Sequence, residues 1–134
     1  MAVPESLAGG CQCGACRYEI SAPPVYGYVC HCLECRKQSS SAFGASVVVP
    51  ADALTITGPV AVWVRDNDNG PPVEAHFCSA CGSRLLHHAV PRQDVVRVRV
   101  GTLDDAGWFQ PAAEFFTERR FEWVNVSTNE EWGH

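Results

Sequence analysis

The residues best equipped for chemistry in this 134-residue chain are its eight cysteines. They fall into Cys11-Gln12-Cys13 with Cys16 close by, Cys30-His31-Cys32-Leu33-Glu34-Cys35, and Cys78-Ser79-Ala80-Cys81. A tight turn bearing two cysteines presents two sulfurs to one ion, and structural zinc commonly takes its four ligands as two such pairs from separate parts of a chain. Cys11 and Cys13 with Cys78 and Cys81 therefore make a closed four-cysteine site that ties the first strand to the middle of the sequence. Cys30, Cys32 and Cys35 offer three thiolates with no obvious fourth ligand, which leaves a coordination position open to water or a substrate atom. Three thiolates on a divalent ion leave a net charge of about minus one, a weak Lewis acid toward water but a fit holder of a substrate thiol as thiolate. The expectation is two Zn2+ ions per chain, one structural and one catalytic or exchangeable.

Other candidates have plainer readings. His31 could complete the second site, but its neighbours Cys30 and Cys32 already bind from the same turn, so an orienting or surface role is favoured. Cys16 could serve either site as a fourth ligand, yet at the entry to a strand it reads as a small buried hydrophobe. His76, His87 and His88 read as structural or solvated, and the adjacent pair must point to opposite faces of a strand. The sequence holds no GxSxG, no HExxH and no glycine-rich phosphate loop in a strand-to-helix context. Asp104/Asp105 and Glu130/Glu131 read as solvated turn residues.

Composition narrows the setting. A formal net charge of -5 gives no electrostatic footprint for nucleic acid or an anionic membrane, so neither is expected as a partner. No basic segment followed by an apolar one marks the first ten residues for export, and no stretch is apolar and long enough to span a bilayer. A cytoplasmic location is expected, where thiols stay reduced and clustered cysteines bind metal rather than form disulfides. With 46% hydrophobic residues the chain can bury a core without covalent staples.

The elements that must position these cysteines are strands. Apolar residues alternate over Arg17–Ile20, Gly44–Val49, Val60–Arg65 and Val95–Val100. In the last run Val96, Val98 and Val100 face one way and Arg97 and Arg99 the other, which describes a sheet with one wet face. Breakers separate the runs at Pro23-Pro24, Pro50, Gly58-Pro59, Asn69-Gly70-Pro71-Pro72 and Pro91. No 3.6-residue period persists for three turns, so helix is confined to single turns, with one expected at Leu33–Gln38. The result is one all-β domain over residues 1–126, followed by a mobile tail at 127–134 whose Trp132 could dock on the body.

Taken in order, Gly9-Gly10-Cys11-Gln12-Cys13-Gly14-Ala15-Cys16-Arg17-Tyr18, Cys30-His31-Cys32-Leu33-Glu34-Cys35-Arg36-Lys37, Ser41-Ala42-Phe43, Phe77-Cys78-Ser79-Ala80-Cys81-Gly82-Ser83 and Gly101-Thr102-Leu103-Asp104 resemble the glutathione-dependent formaldehyde-activating enzyme family. The resemblance runs from about Gly9 to Val124. It implies that family's Mss4-like fold, several short coiled antiparallel sheets held by zinc knuckles. It also implies a structural zinc on Cys11, Cys13, Cys78 and Cys81 and a catalytic zinc on Cys30, Cys32 and Cys35, the same division that ligand count gives. Glu114 stands where a histidine is common in the family. The activity implied is that of a zinc-dependent carbon-sulfur lyase acting on the adduct of a small, glutathione-like thiol with an aldehyde such as formaldehyde. Arg36 and Lys37, just beyond the last ligand, could attract the carboxylates of such a substrate. A non-catalytic, zinc-stabilised binding module is the alternative. Methionine sulfoxide reduction on a related fold needs a late cysteine, and none lies beyond position 81.

Overall fold

The computed structural model describes residues 2–67, 70–90 and 93–132. The breakers Asn69 and Pro91, and the last two residues of the tail, lie outside the described residues. The four alternating runs fold as β2 (Arg17–Ile20), β4 (Gly44–Pro50), β6 (Val60–Arg65) and β9 (Val95–Arg99), and six strands that the alternation did not mark join them: β1 (Leu7–Gly10), β3 (Tyr26–Cys30), β5 (Leu54–Thr57), β7 (Val73–Cys78), β8 (Arg84–Ala89) and β10 (Ala113–Phe115). β1, β2 and β5 form a three-stranded sheet, and the other strands form a seven-stranded sheet in the order β10-β3-β4-β9-β8-β7-β6. The all-β expectation holds. The described strands pair antiparallel, except that β10 runs parallel to β3.

The core lies between the two sheets. Tyr18 and Ile20 of β2, Val47 and Val49 of β4, Leu86 of β8, and Val96 and Val98 of β9 meet in one buried cluster. Each buried aliphatic side chain stabilises the fold by about 1.5–3 kcal/mol over an exposed one. The Tyr18 hydroxyl is satisfied by Thr102 Oγ1 at 2.8 Å.

The single α-helix among the described residues, α1 (Leu33–Ser39), runs one residue past its expected end. Cys32 caps it, its sulfur accepting the Cys35 N–H at 3.3 Å, and Ser40 ends it in the left-handed region at φ 52°. α1 lies on the face of the large sheet opposite the valines and is tied across it by Glu34 to Arg65 Nε at 3.2 Å. This cover corrects one expectation. Arg97 is half-buried at the sheet surface, but Arg99 is only 6% exposed, so the face assigned to solvent is closed at that end. β9 also stops at Arg99, with Val100 opening a short 3-10 turn. The tail takes its docked alternative: Trp132 is buried, packs near Tyr26 and Trp108, and its Nε1–H donates to the Gln110 carbonyl at 2.7 Å.

Because neighbouring strands alternate in direction, one end of the large sheet collects the ends of β3 at Cys30, β7 at Cys78 and β9 at Arg99. The starts of β4 at Gly44 and β8 at Arg84 lie at the same end. Both cysteine clusters are thereby brought to one edge of the molecule.

Candidate metal centres

The turn after β1 and the turn after β7 are built alike. In the first, the Gly14 N–H returns to the Cys11 carbonyl at 3.2 Å, and in the second the Gly82 N–H returns to the Cys78 carbonyl at 2.8 Å. Each turn closes through a glycine at φ 83°, a left-handed conformation that only glycine adopts without strain. Backbone amides point inward at sulfur: Cys16 N–H donates to Cys11 Sγ at 3.2 Å, and the Ala80 and Cys81 amides donate to Cys78 Sγ at 3.3 and 3.4 Å. Such donors favour thiolate over thiol.

The four sulfurs of Cys11, Cys13, Cys78 and Cys81 lie within 4.8 Å of one another. Cys11 and Cys13 Sγ are 3.6 Å apart and Cys13 and Cys78 Sγ 3.9 Å apart, too far for a disulfide. A tetrahedron of sulfurs about 2.3 Å from a central ion has edges of about 3.8 Å, so the set fits zinc. The Ser83 hydroxyl and amide bring the Cys81 thiol down to about 5, and the Cys16 amide lowers Cys11. Cys16 stays outside the group; burial, then its contact with Cys78, pushes its thiol up to about 12. It is a fully buried core residue, as its position in β2's approach suggests.

The second cluster stands where β3 runs into α1. Cys30, Cys32 and Cys35 place their sulfurs within 4.8 Å of one another, and among the described residues no fourth His, Cys, Asp or Glu joins them. Cys30 is buried, while Cys32 and Cys35 are partly exposed, so the group can be approached from outside. Crowding splits the thiols: a bond from Cys35 lowers Cys30, while the same contact and then burial raise Cys35 well above the usual range. Three sulfurs so close can all ionise only beside a cation, which is the behaviour of a metal-binding set.

His31 lies between two of these cysteines yet faces away from them. It is fully buried, its Nε2 is 2.8 Å from Glu114 Oε2, and its ring packs 5.6 Å from Phe43. Glu114 is in turn held by Arg120 Nη1 at 3.3 Å. The His31 backbone N–H also donates to Phe115 at 2.9 Å, so β10 fixes the knuckle through both backbone and side chain. The favoured surface alternative for His31 is corrected, and the orienting one is what the geometry supports. Of the two basic residues after the cluster, Arg36 stacks on Phe121 at 4.7 Å and Lys37 is exposed.

A third group escaped the sequence reading. Glu74 and His76 alternate on β7, and His88 sits opposite Glu74 on β8, bringing three ligand atoms within 4.8 Å. Glu74 Oε1 is 2.9 Å from His76 Nε2 and 3.5 Å from His88 Nε2. The Glu-x-His spacing was the available signal for the first two; only the strand register adds the third. His87 faces the other way and is nearly buried, with burial and then Arg99 pushing its imidazole down to about 3.

Residues 6–119 match the family described as glutathione-dependent formaldehyde-activating enzyme. This chain belongs to that family. A relative from Halomonas elongata, named "Putative glutathione-dependent formaldehyde-activating enzyme", is 27% identical over 93% of this chain and 83% of its own length. One of the same name from Penicillium rubens is 30% identical over 79% of this chain and 59% of its own length. A Rhodobacter sphaeroides protein of known crystal structure superposes with a TM-score of 0.57 at 18% identity, over 73% of this chain and 88% of that one, and shares the fold. Among the described residues no helix is long and apolar enough to cross a membrane.

Proposed function

We propose that this chain is a zinc-dependent carbon-sulfur lyase that acts on the adduct of a small, glutathione-like thiol with an aldehyde such as formaldehyde. In the reaction, an S-hydroxymethyl thioether breaks down to the free thiol and formaldehyde. The carbon–sulfur bonding pair leaves with sulfur, the hydroxyl proton is transferred to the departing thiolate by way of solvent, and the hydroxyl oxygen closes to a carbonyl; the reverse reaction joins thiol and aldehyde.

The observation that carries the reading is the three-sulfur group of Cys30, Cys32 and Cys35, which converges at a partly exposed position with no fourth protein donor joining it among the described residues. Zinc held there would supply a soft, electrophilic centre for the substrate's sulfur. The chain's own contribution is position. The Cys35 amide supports the Cys32 sulfur, and β10, through Glu114 and His31, fixes the turn from which the first two ligands project. The other four cysteines, at Cys11, Cys13, Cys78 and Cys81, form a complete set and would hold the structural zinc.

The reading is tested by mixing carbon-13-labelled formaldehyde with glutathione and following the exchange between free and adduct carbon by NMR, with bound zinc counted in the same sample. Wild type should accelerate exchange at least tenfold over the spontaneous rate, and Cys32→Ser should return it to that rate while staying folded. Exchange at the spontaneous rate with two zinc ions bound per wild-type chain would refute the lyase and leave the binding module.

A further inference from the structure

Beside the three-cysteine centre stand two arginines with no carboxylate paired to them among the described residues, although the charge of Arg99 does favour the Cys35 thiolate. Arg99 closes β9 and Arg84 opens β8 at the same end of the sheet. Arg99 is 6% exposed; its Nη1 donates to Ser46 Oγ at 3.0 Å, while Nη2 is buried with no partner. Nη1 of Arg84 is also buried and unpartnered, its guanidinium lying 5.6 Å over Trp63 and 5.9 Å over Phe77. Among the described residues neither arginine makes an ion pair. Burial, and after it the charges of Arg99 and Arg65, push the Arg84 guanidinium down.

Both arginines line a single cleft of about 330 Å³ with Gln38, Ser39, Phe43 and Ser83. The cleft adjoins the metal centre. Gln38 and Ser39 end the helix that carries Cys35, and Gly44, whose register partner is Cys30, lies so close under Arg99 that a Cβ there would collide with the guanidinium. Buried cations without an anion are unfavourable, and a buried donor left unpaired forfeits its solvation. Arg99, only 6% exposed, and the partly buried Arg84 each keep one nitrogen without a partner beside this cleft, an arrangement that favours an anion there. The planar forks of arginine match a carboxylate two bonds at a time, and the cleft has room for an amino-acid-sized group.

We propose that Arg84 and Arg99 form a carboxylate-binding subsite that seats the carboxylate of an amino-acid- or peptide-type thiol whose sulfur is directed to Cys30, Cys32 and Cys35. The identity of the ligand rests on the thiol reading above; the anion site rests on the two arginines. Arg36 and Lys37 do not line this cleft; Arg36 lies over Phe121 and Lys37 is in solvent.

The full-length, metal-loaded protein tests this in two arms. Succinate, which has carboxylates but no sulfur, is titrated while the arginine side-chain Nε–Hε NMR signals are recorded. In the cobalt-substituted protein, 3-mercaptopropionate and 2-mercaptoethanol, matched thiols that differ in a carboxylate, are titrated against the thiolate-to-metal charge-transfer band. Succinate should shift the Arg84 and Arg99 signals saturably, and 3-mercaptopropionate should bind at least tenfold more tightly than 2-mercaptoethanol. Arg84→Gln should abolish the preference by weakening only the carboxylated thiol. Arg99→Lys, which keeps the charge but loses the fork, should do the same if Arg84→Gln does not fold. Unmoved arginine signals with equal binding of the two thiols would overturn the subsite and leave the thiol reading standing. Shifted arginine signals with a cobalt band that no thiol alters would uphold the anion site and overturn the thiol reading.

Discussion

Replacing Cys81 by serine isolates the contribution of the four-cysteine centre. Cys81 is exposed, so exchanging one sulfur for oxygen removes a ligand without opening a cavity. The centre joins Cys13 to Cys78 across 65 residues of sequence. A cross-link closing a loop of that length removes chain entropy worth about 4 kcal/mol at 25 °C. For a chain of 134 residues the unfolding entropy is about 0.28 kcal/mol/K, so 4 kcal/mol corresponds to a fall in Tm of about 15 °C. That is a large fraction of the roughly 5–15 kcal/mol by which domains are stable. Cys30 and Cys35 close a loop only about a tenth as long, already shaped by the helix cap at Cys32, and the same relation gives about 2 kcal/mol as an upper figure for Cys32→Ser. Calorimetry or circular dichroism melts of zinc-loaded wild type, Cys81→Ser and Cys32→Ser, with zinc counted in each, should show Cys81→Ser losing about 15 °C and Cys32→Ser at most half of that. A Cys81→Ser variant melting within about 3 °C of wild type would refute the quartet as a fold-closing centre, as would a larger loss for Cys32→Ser.

Further outcomes follow from single positions. Gly82 has φ 83° with open space around its Cα, so Gly82→Ala adds backbone strain alone and should cost about 1 kcal/mol, or about 4 °C, in a thermal melt. Trp132 is buried and bonded to Gln110, so Trp132→Ala should lower stability by about 3 kcal/mol in urea unfolding, and an unchanged midpoint would show that the tail contributes nothing. His87 has its folded value depressed from 6.5 to about 3, so between those values the unfolded chain binds the extra proton. Stability from this residue is full above about pH 6.5 and is lost as pH falls toward 3, with a limiting slope of about 1.4 kcal/mol per pH unit. Urea titrations from about pH 7 to about pH 5 should therefore show a shallower loss in His87→Gln than in wild type.

Much of the molecule was legible because its signals are local. Alternation with period two identified Arg17–Ile20 and Val60–Arg65 to the residue, since parity along a strand decides which side chains share a face. The cysteine clusters declared themselves through spacing, and ligand arithmetic alone brought together the four cysteines that the fold gathers from β1's and β7's turns. Parity says nothing, however, about what covers a face. Arg97 and Arg99 have the same phase, but only Arg99 is closed off at the sheet end, and its unpartnered Nη2 is a tertiary fact. Glu114 reaches His31 only because β10 adds itself in parallel to β3, a pairing 83 residues distant that no local pattern announces. His88 joins Glu74 and His76 through strand register alone. The sequence by itself determined which cysteines could share a metal and which residues of β9 share a face; the tertiary structure decided which strand ends share an edge, and so placed two arginines without a paired carboxylate beside three cysteines, because register and cover are set by packing between segments far apart in the chain.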